Sequence, residues 1–109
     1  MNAEQWTQIF EQSPIGIAFI DPEFKWIRVN RRLCSLLEYT ETEFIGRTLQ
    51  DITHHADLKA DLAELRKLRA GEITGFSILK RYLTKTDRVI WVRVTVYPVT
   101  DGENKVIHF

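Results

Sequence analysis

Val89-Ile90-Trp91-Val92-Arg93-Val94-Thr95-Val96-Tyr97-Pro98-Val99 is the stretch on which the fold turns. Ile90, Val92, Val94 and Val96 alternate with Trp91, Arg93, Thr95 and Tyr97. A period of two, with aliphatic residues at every second place, marks a strand with one buried face. A helix would repeat its apolar residues every three or four positions, so 89–99 reads as one long strand. Just upstream, Phe76 to Leu83 is a second strand-like run, and Thr84 to Arg88 leaves room only for a turn. Strands joined so tightly are antiparallel. Downstream, Asp101-Gly102-Glu103-Asn104 turns the chain into a last strand, Val106 to Phe109.

Upstream of that block the period changes. Residues 3–12 carry Ala3, Trp6, Ile9 and Phe10 at helical spacing, and Ser13-Pro14 ends the helix, because a residue before proline is pushed out of the helical region. Ile15 to Ile20 and Phe24 to Val29 read as a hairpin joined by Asp21-Pro22-Glu23. Asn30 is placed to cap a short helix bearing Leu33, Leu36 and Leu37. Thr40-Glu41-Thr42-Glu43 has capping-box spacing and opens a single turn closed by Gly46. Thr48 to Ile52 is another turn. Asp57 is the expected cap of the longest helix, 58–70, with Leu58, Leu62, Leu65 and Leu68 on one face and Gly71 in the left-handed stop position. The order is strand-strand, helices, three strands: an α+β fold with a five-stranded antiparallel sheet and an N-terminal amphipathic helix. The first hairpin is expected between the terminal strand and one edge.

At 109 residues the chain is one domain, with residues 1–12 as a flanking helix and 13–109 as the folded body. Fifteen basic residues balance fifteen acidic ones, which removes the electrostatic case for nucleic acid. No apolar run is long enough for membrane insertion, and the first residues lack the pattern of a secretory signal. A lone cysteine, Cys34, makes no internal disulfide, so a cytoplasmic setting is expected.

Little here points to catalysis. His54-His55 has only Asp51 and Asp57 nearby, short of the three or four converging ligands a metal needs. His108 reads as a surface residue. Cys34 sits on a leucine-rich helix with no histidine near it, and reads as packing. Lys80-Arg81-Tyr82 is locally basic, but strand alternation splits it between two faces. The inward positions read as aliphatic. A small cone-shaped α+β enzyme would need an acid or base there, so the residues favour a binding or interaction domain.

Ser13-Pro14-Ile15-Gly16-Ile17 followed by Asp21 resembles the opening of a PAS (Per-Arnt-Sim) sensory domain of the bacterial S-box type. The likeness continues through Val29-Asn30, Leu33, Leu36 and Tyr39, then Glu43-Phe44-Ile45-Gly46 and Leu49-Gln50-Asp51-Ile52-Thr53-His54. Asp57-Leu58 and Gly71 bracket its long helix, and Lys80-Arg81-Tyr82, Trp91-Val92 and Val99-Thr100-Asp101 fall in its long strands. Three places depart from it. Glu38 stands where the family has glycine, His54-His55-Ala56-Asp57 replaces His-Pro-Asp-Asp, and Thr86-Asp87-Arg88-Val89 replaces an Asp-Gly turn. The chain also stops inside the last strand, before the family's closing Asp-x-Thr, as a piece of a longer protein would.

The resemblance implies a sensory or regulatory module serving a histidine kinase, a cyclic-dinucleotide enzyme such as a diguanylate cyclase, or a chemoreceptor. It implies a ligand pocket between the helices and the inner sheet face, lined by Ile17, Phe19, Val29, Leu33, Leu37, Ile52, Leu62, Leu65, Val92, Val94 and Val96. No cofactor is expected. The flavin-photoadduct type needs a cysteine near Leu49-Gln50, and haem types take a histidine from the long helix, which has none; His54 or His55 is the remaining haem candidate. The expected partners are a small molecule of unknown identity, a downstream effector domain, and a second copy, with Trp6, Ile9 and Phe10 at a homodimer interface. The alternative is a protein-interaction domain with no ligand.

Overall fold

Left-handed residues and one proline decide where the strands stop. The computed structural model describes residues 1–109. It contains α1 (Ala3–Gln12), β1 (Ala18–Ile20), β2 (Trp26–Val29), α2 (Arg31–Leu37), α3 (Glu41–Phe44), a 3-10 turn (Leu49–Asp51), α4 (His55–Arg69), β3 (Phe76–Leu83), β4 (Val89–Val96), β5 (Val99–Thr100) and β6 (Val106–His108). The long strand expected over 89–99 is broken at Tyr97-Pro98, since proline has no N–H to give to a ladder. The expectation of five strands is therefore corrected to six segments in three antiparallel ladders, β1–β2, β3–β4 and β5–β6. Ile20 and Phe109 exchange both backbone hydrogen bonds, at 3.0 and 2.8 Å, which joins β1 to the end of β6. The first hairpin thus stands beside the terminal strand, as expected.

The strand expected over Ile15–Ile20 begins only at Ala18, because Asn30 takes the preceding backbone out of the ladder. Asn30 is fully buried; its Oδ1 accepts from the N–H groups of Ile17 (3.0 Å) and Leu33 (3.1 Å). Its Nδ2 donates to the carbonyls of Phe10 (2.9 Å) and Ile15 (3.0 Å). One side chain therefore caps α2 and ties α1 to the body.

One turn design recurs three times, at Asp21–Lys25, Thr84–Arg88 and Asp101–Lys105. In each, the first N–H donates to the fifth carbonyl and the fourth N–H donates back to the first carbonyl. The fourth residue is left-handed: Phe24 (φ 67°), Asp87 (φ 62°) and Asn104 (φ 61°). This is a three-residue loop, a type I turn followed by a left-handed residue. Asp21 and Asp101 each accept two later N–H groups on Oδ1, and Thr84 Oγ1 accepts from Arg88. Such side-chain capping lets turns form without glycine at the left-handed place.

Helix ends follow the same chemistry. Glu38 itself takes the left-handed position after α2 (φ 67°), and its carboxylate accepts from Thr86 Oγ1. Gly71 (φ 78°) ends α4 as expected, with N–H bonds from Gly71 and Glu72 to the carbonyls of Leu68 and Lys67. The start of α4 is corrected. His54, not Asp57, is the cap: its Nδ1 accepts from the Ala56 N–H at 3.1 Å, and the helix begins at His55.

Asp57, freed from capping, holds the free edge of β3. It accepts from the Arg81 backbone N–H at 2.7 Å and pairs with the guanidinium at 2.8 and 2.9 Å. The Leu83 N–H donates to the Ile52 carbonyl (2.7 Å) and His54 N–H to the Arg81 carbonyl (2.9 Å). An open sheet edge templates unwanted pairing, and residues 52–57 cover this one.

The core gathers Ile20, Trp26, Val29, Leu37, Phe44, Leu49, Ile52, Leu65, Leu68 and Tyr82 between the sheet and the helices. On the other face, α1 lies over the first hairpin. Phe10 is 2% exposed, with ring centroids 5.2 Å from Trp6 and 6.0 Å from Phe19, and the Arg28 guanidinium lies 4.8 Å from its ring centre.

Candidate ligand cavity

A cavity of about 660 Å³ lies between the inner sheet face and the helices. Its walls come from β1, α2, the 3-10 turn, α4, β3 and β4, with Trp26 and Phe109 also bordering it. Strand alternation builds one wall. Val92, Val94 and Val96 point inward and stay only partly buried because the space before them is open, while Trp91, Arg93 and Thr95 are exposed.

Of the residues expected to line a pocket, Ile17, Leu33, Leu65, Val92, Val94 and Val96 border this cavity. Val29, Leu37 and Ile52 do not; they are buried in the core. Leu62 packs against the core without reaching the cavity. Phe19 borders the cavity, but its ring sits with Trp6, Phe10 and His108, as the residue alternating with core Ile20 must.

The reading of the inner wall as wholly aliphatic is corrected. Asp61 and Lys80 both border the cavity, 1% and 0% exposed, joined by a 2.5 Å ion pair from Nζ to Oδ2. Lys80 sits opposite Val92 in the β3–β4 register, so the parity that turns Val92 inward turns Lys80 inward too. Asp61 lies one turn after Asp57 on α4. Successive strand residues Lys80 and Arg81 thus bind successive helix turns, one inside the sheet and one at its edge. Lys80 Nζ also donates to Thr53 Oγ1 (3.3 Å) and lies 4.6 Å from the centre of the Tyr82 ring. Thr53 Oγ1 in turn donates to the Leu49 carbonyl at 2.9 Å.

Burial lowers the Lys80 ammonium from the usual lysine range, and the Asp61 charge opposes that shift. Burial, reinforced by the Asp61 charge, pushes the Tyr82 phenol well above its ordinary value, so it stays protonated. Burial also raises the Cys34 thiol, with Glu41 and Glu11 adding to the effect, which disfavours a reactive thiolate.

His54 and His55 stack on each other at 4.4 Å where α4 begins, and neither borders the cavity. The residues present do not fit a haem held from this wall. No group of three His, Cys, Asp or Glu side chains is placed to hold a metal ion. No helix is long and apolar enough to cross a membrane.

The family profile of the PAS domain matches residues 14–109. The chain belongs to the PAS domain family. PAS domains are sensory modules of signalling proteins, a family in which the module itself is not the catalyst. The chain is 35% identical over 99 residues to a probable diguanylate cyclase, DgcE, of Escherichia coli. That match takes in 91% of this chain and only 9% of the relative's length. Among solved structures, a PAS domain from Colwellia psychrerythraea superposes with a TM-score of 0.86 at 16% identity, over 96% of this chain and 88% of that one. A domain of a sensory box sensor histidine kinase/response regulator from Geobacter sulfurreducens gives a TM-score of 0.77 at 19% identity, over 97% and 90%. The sequence reading of an S-box PAS domain, α+β in class, agrees with both comparisons.

The dimer reading needs one correction inside this PAS domain. Phe10 is buried against its own sheet, so of the three expected interface residues only Trp6 (38% exposed) and Ile9 (60%) remain available. The outer faces of β3 and β4 add Leu79, Trp91 and Val89, with Tyr97, Val99 and Ile107 beyond them, all exposed.

Proposed function

We propose that this PAS domain is the input module of a bacterial signalling protein, and that a small molecule entering the cavity is its signal. The observation that carries this is the cavity itself: walled by the sheet and α4 and open to solvent past Ile15 and Tyr97, mostly apolar, and holding one buried polar cluster at its inner wall. That combination is the usual make-up of a small-molecule site. The likeness to part of a diguanylate cyclase supports a cyclic-dinucleotide enzyme as the effector, and the sensor kinase structure supports a histidine kinase as the runner-up. A cytoplasmic setting accords with the lone cysteine. The test is native mass spectrometry of gently purified protein, followed by an NMR screen of small fragments. A co-purifying mass, or fragments that shift the signals of Leu33, Leu65, Val92 and Val94, supports the reading; a wall that no fragment perturbs refutes it.

A second reading rests on the exposed apolar outer face. Here the domain works by self-association, with α1 and the β3–β4 surface meeting a second copy. Contiguous exposed apolar surface usually marks a contact site, and two-fold contacts are the commonest solution. Sedimentation of the wild type beside a Trp6→Ala/Ile9→Ala variant decides it. A dimer that weakens in the variant supports the interface, and a wild type that stays monomeric at high micromolar concentration removes it.

A further inference from the structure

The polar cluster in the cavity carries information about the charge of what can enter. We propose that the buried Asp61–Lys80 pair selects an uncharged ligand with a hydroxyl or amide head on an apolar body. This rests on the ligand-cavity reading above and adds the chemical class.

The argument starts from the hydrogen-bonding capacity of Lys80. An ammonium has three N–H donors. One goes to Asp61 Oδ2 at 2.5 Å, one to Thr53 Oγ1 at 3.3 Å, and the Nζ also lies 4.6 Å from the Tyr82 ring centre. Two of the three donors are thus claimed, and an incoming carboxylate or phosphate could reach only the third; because Asp61 already balances Lys80, it would add one uncompensated negative charge beside the pair. A buried charge without a partner is strongly unfavourable.

A cationic ligand meets the mirror problem. It could lie against Asp61, but Lys80 already neutralises that carboxylate, so the buried wall would carry one excess positive charge. Like charges at short range in a poorly solvated space repel strongly.

A neutral head group meets neither obstacle, and two polar groups await it. Asp61 binds Lys80 through Oδ2 alone, which leaves Oδ1 able to accept a donor. Tyr82 also lines the cavity, and burial keeps its phenol protonated and so able to donate. A hydroxyl or a primary or secondary amide can donate to the first and accept from the second. Leu33, Leu65, Val92 and Val94 then receive the apolar body.

Three probes with one body and different heads test this: 3-phenylpropan-1-ol, 3-phenylpropanoate and 3-phenylpropan-1-aminium. Each is titrated into ¹⁵N-labelled protein at neutral pH, followed through the amide signals of Asp61, Lys80 and Tyr82. The expected result is a Kd for the alcohol at least tenfold below that of either ion. An ion that binds as tightly as the alcohol overturns the proposal while leaving the cavity reading intact. If none of the three binds, the cavity reading falls and the proposal with it. An apolar wall alone would also favour an alcohol, so the pair is tested separately with Asp61→Asn, which uncovers the Lys80 charge. That variant is expected to prefer the carboxylate, and Lys80→Met, by the mirror argument, the ammonium. Where only one variant folds, its result suffices. A folded variant that keeps the alcohol preference overturns the role of the pair.

Discussion

Replacing Lys80 with methionine tests directly how much the domain depends on its internal ion pair. Lys80 and Asp61 are almost wholly enclosed, with side chains each 1% exposed and 2.5 Å between the charged atoms. Methionine fills a similar volume but leaves the Asp61 carboxylate without its counter-ion. Removing one member of a buried pair costs about 3–5 kcal/mol, because the survivor remains desolvated and unpaired. A domain of this size is stable by only about 5–15 kcal/mol. With an unfolding entropy of about 2.1 cal/mol/K per residue, that loss lowers Tm by roughly 13–22 °C. The double variant Lys80→Met/Asp61→Leu removes both charges and is expected to recover most of the loss, since an apolar replacement of a whole pair is often neutral or stabilising. Urea unfolding of the wild type, the two single variants and the double variant, followed by circular dichroism, closes the cycle. A single variant within about 1 kcal/mol of wild type would refute the reasoning, because it would mean that water reaches the pair. So would a double variant whose loss is the sum of the singles.

Stability should fall in acid in a way traceable to Asp57 and Glu43. Hydrogen bonds from Arg81 hold Asp57 at about 2, and bonds from Lys85 and Thr40 hold Glu43 at about 2. Both lie below their unfolded values near 4, so their contribution is complete above about pH 5 and drains away as pH falls toward 2. Denaturation midpoints from pH 6 to 2 should show this slope, and Asp57→Asn with Glu43→Gln should flatten it; an unchanged slope would assign it elsewhere. Asp87→Gly should raise stability by about 0.5 kcal/mol, because glycine relieves the left-handed backbone at an exposed turn. Phe24→Gly should lower it by about 3–5 kcal/mol despite relieving the same conformation, because that ring is buried between Phe109 and Arg69. Thermal melts of the two variants must move in opposite directions for this account to stand.

What the sequence made legible was whatever follows from periodicity taken along one element. The two-residue period of 89–96 put Val92, Val94 and Val96 on the inner face, and that is where they lie. Asn30, Thr40 and Gly71 are read correctly because a cap or a left-handed stop depends on neighbours three or four residues away. The start of α4 is not legible locally: His54 and Asp57 can both cap, and Arg81, which the chain brings in from β3, engages Asp57 and leaves the cap to His54. The internal ion pair stayed hidden for a related reason. The leucines of α4 suggest a stripe through Leu58, Leu62, Leu65 and Leu68; Leu65 and Leu68 are buried as that stripe requires, but at the N-terminal half of the helix it is Asp61, next to Leu62, that is buried with them. An aspartate alone at such a position, or a lysine alone opposite Val92, would be too unfavourable to place inside. Each becomes tolerable only because the other is there, 19 residues away in sequence. A reading that weighs residues one at a time rejects both. Strand parity held the missing clue, because Tyr82 and Lys80 share a face, and an inward Lys80 demands an acid across from it. Asp61, one turn along from Asp57, is the acid that α4 presents.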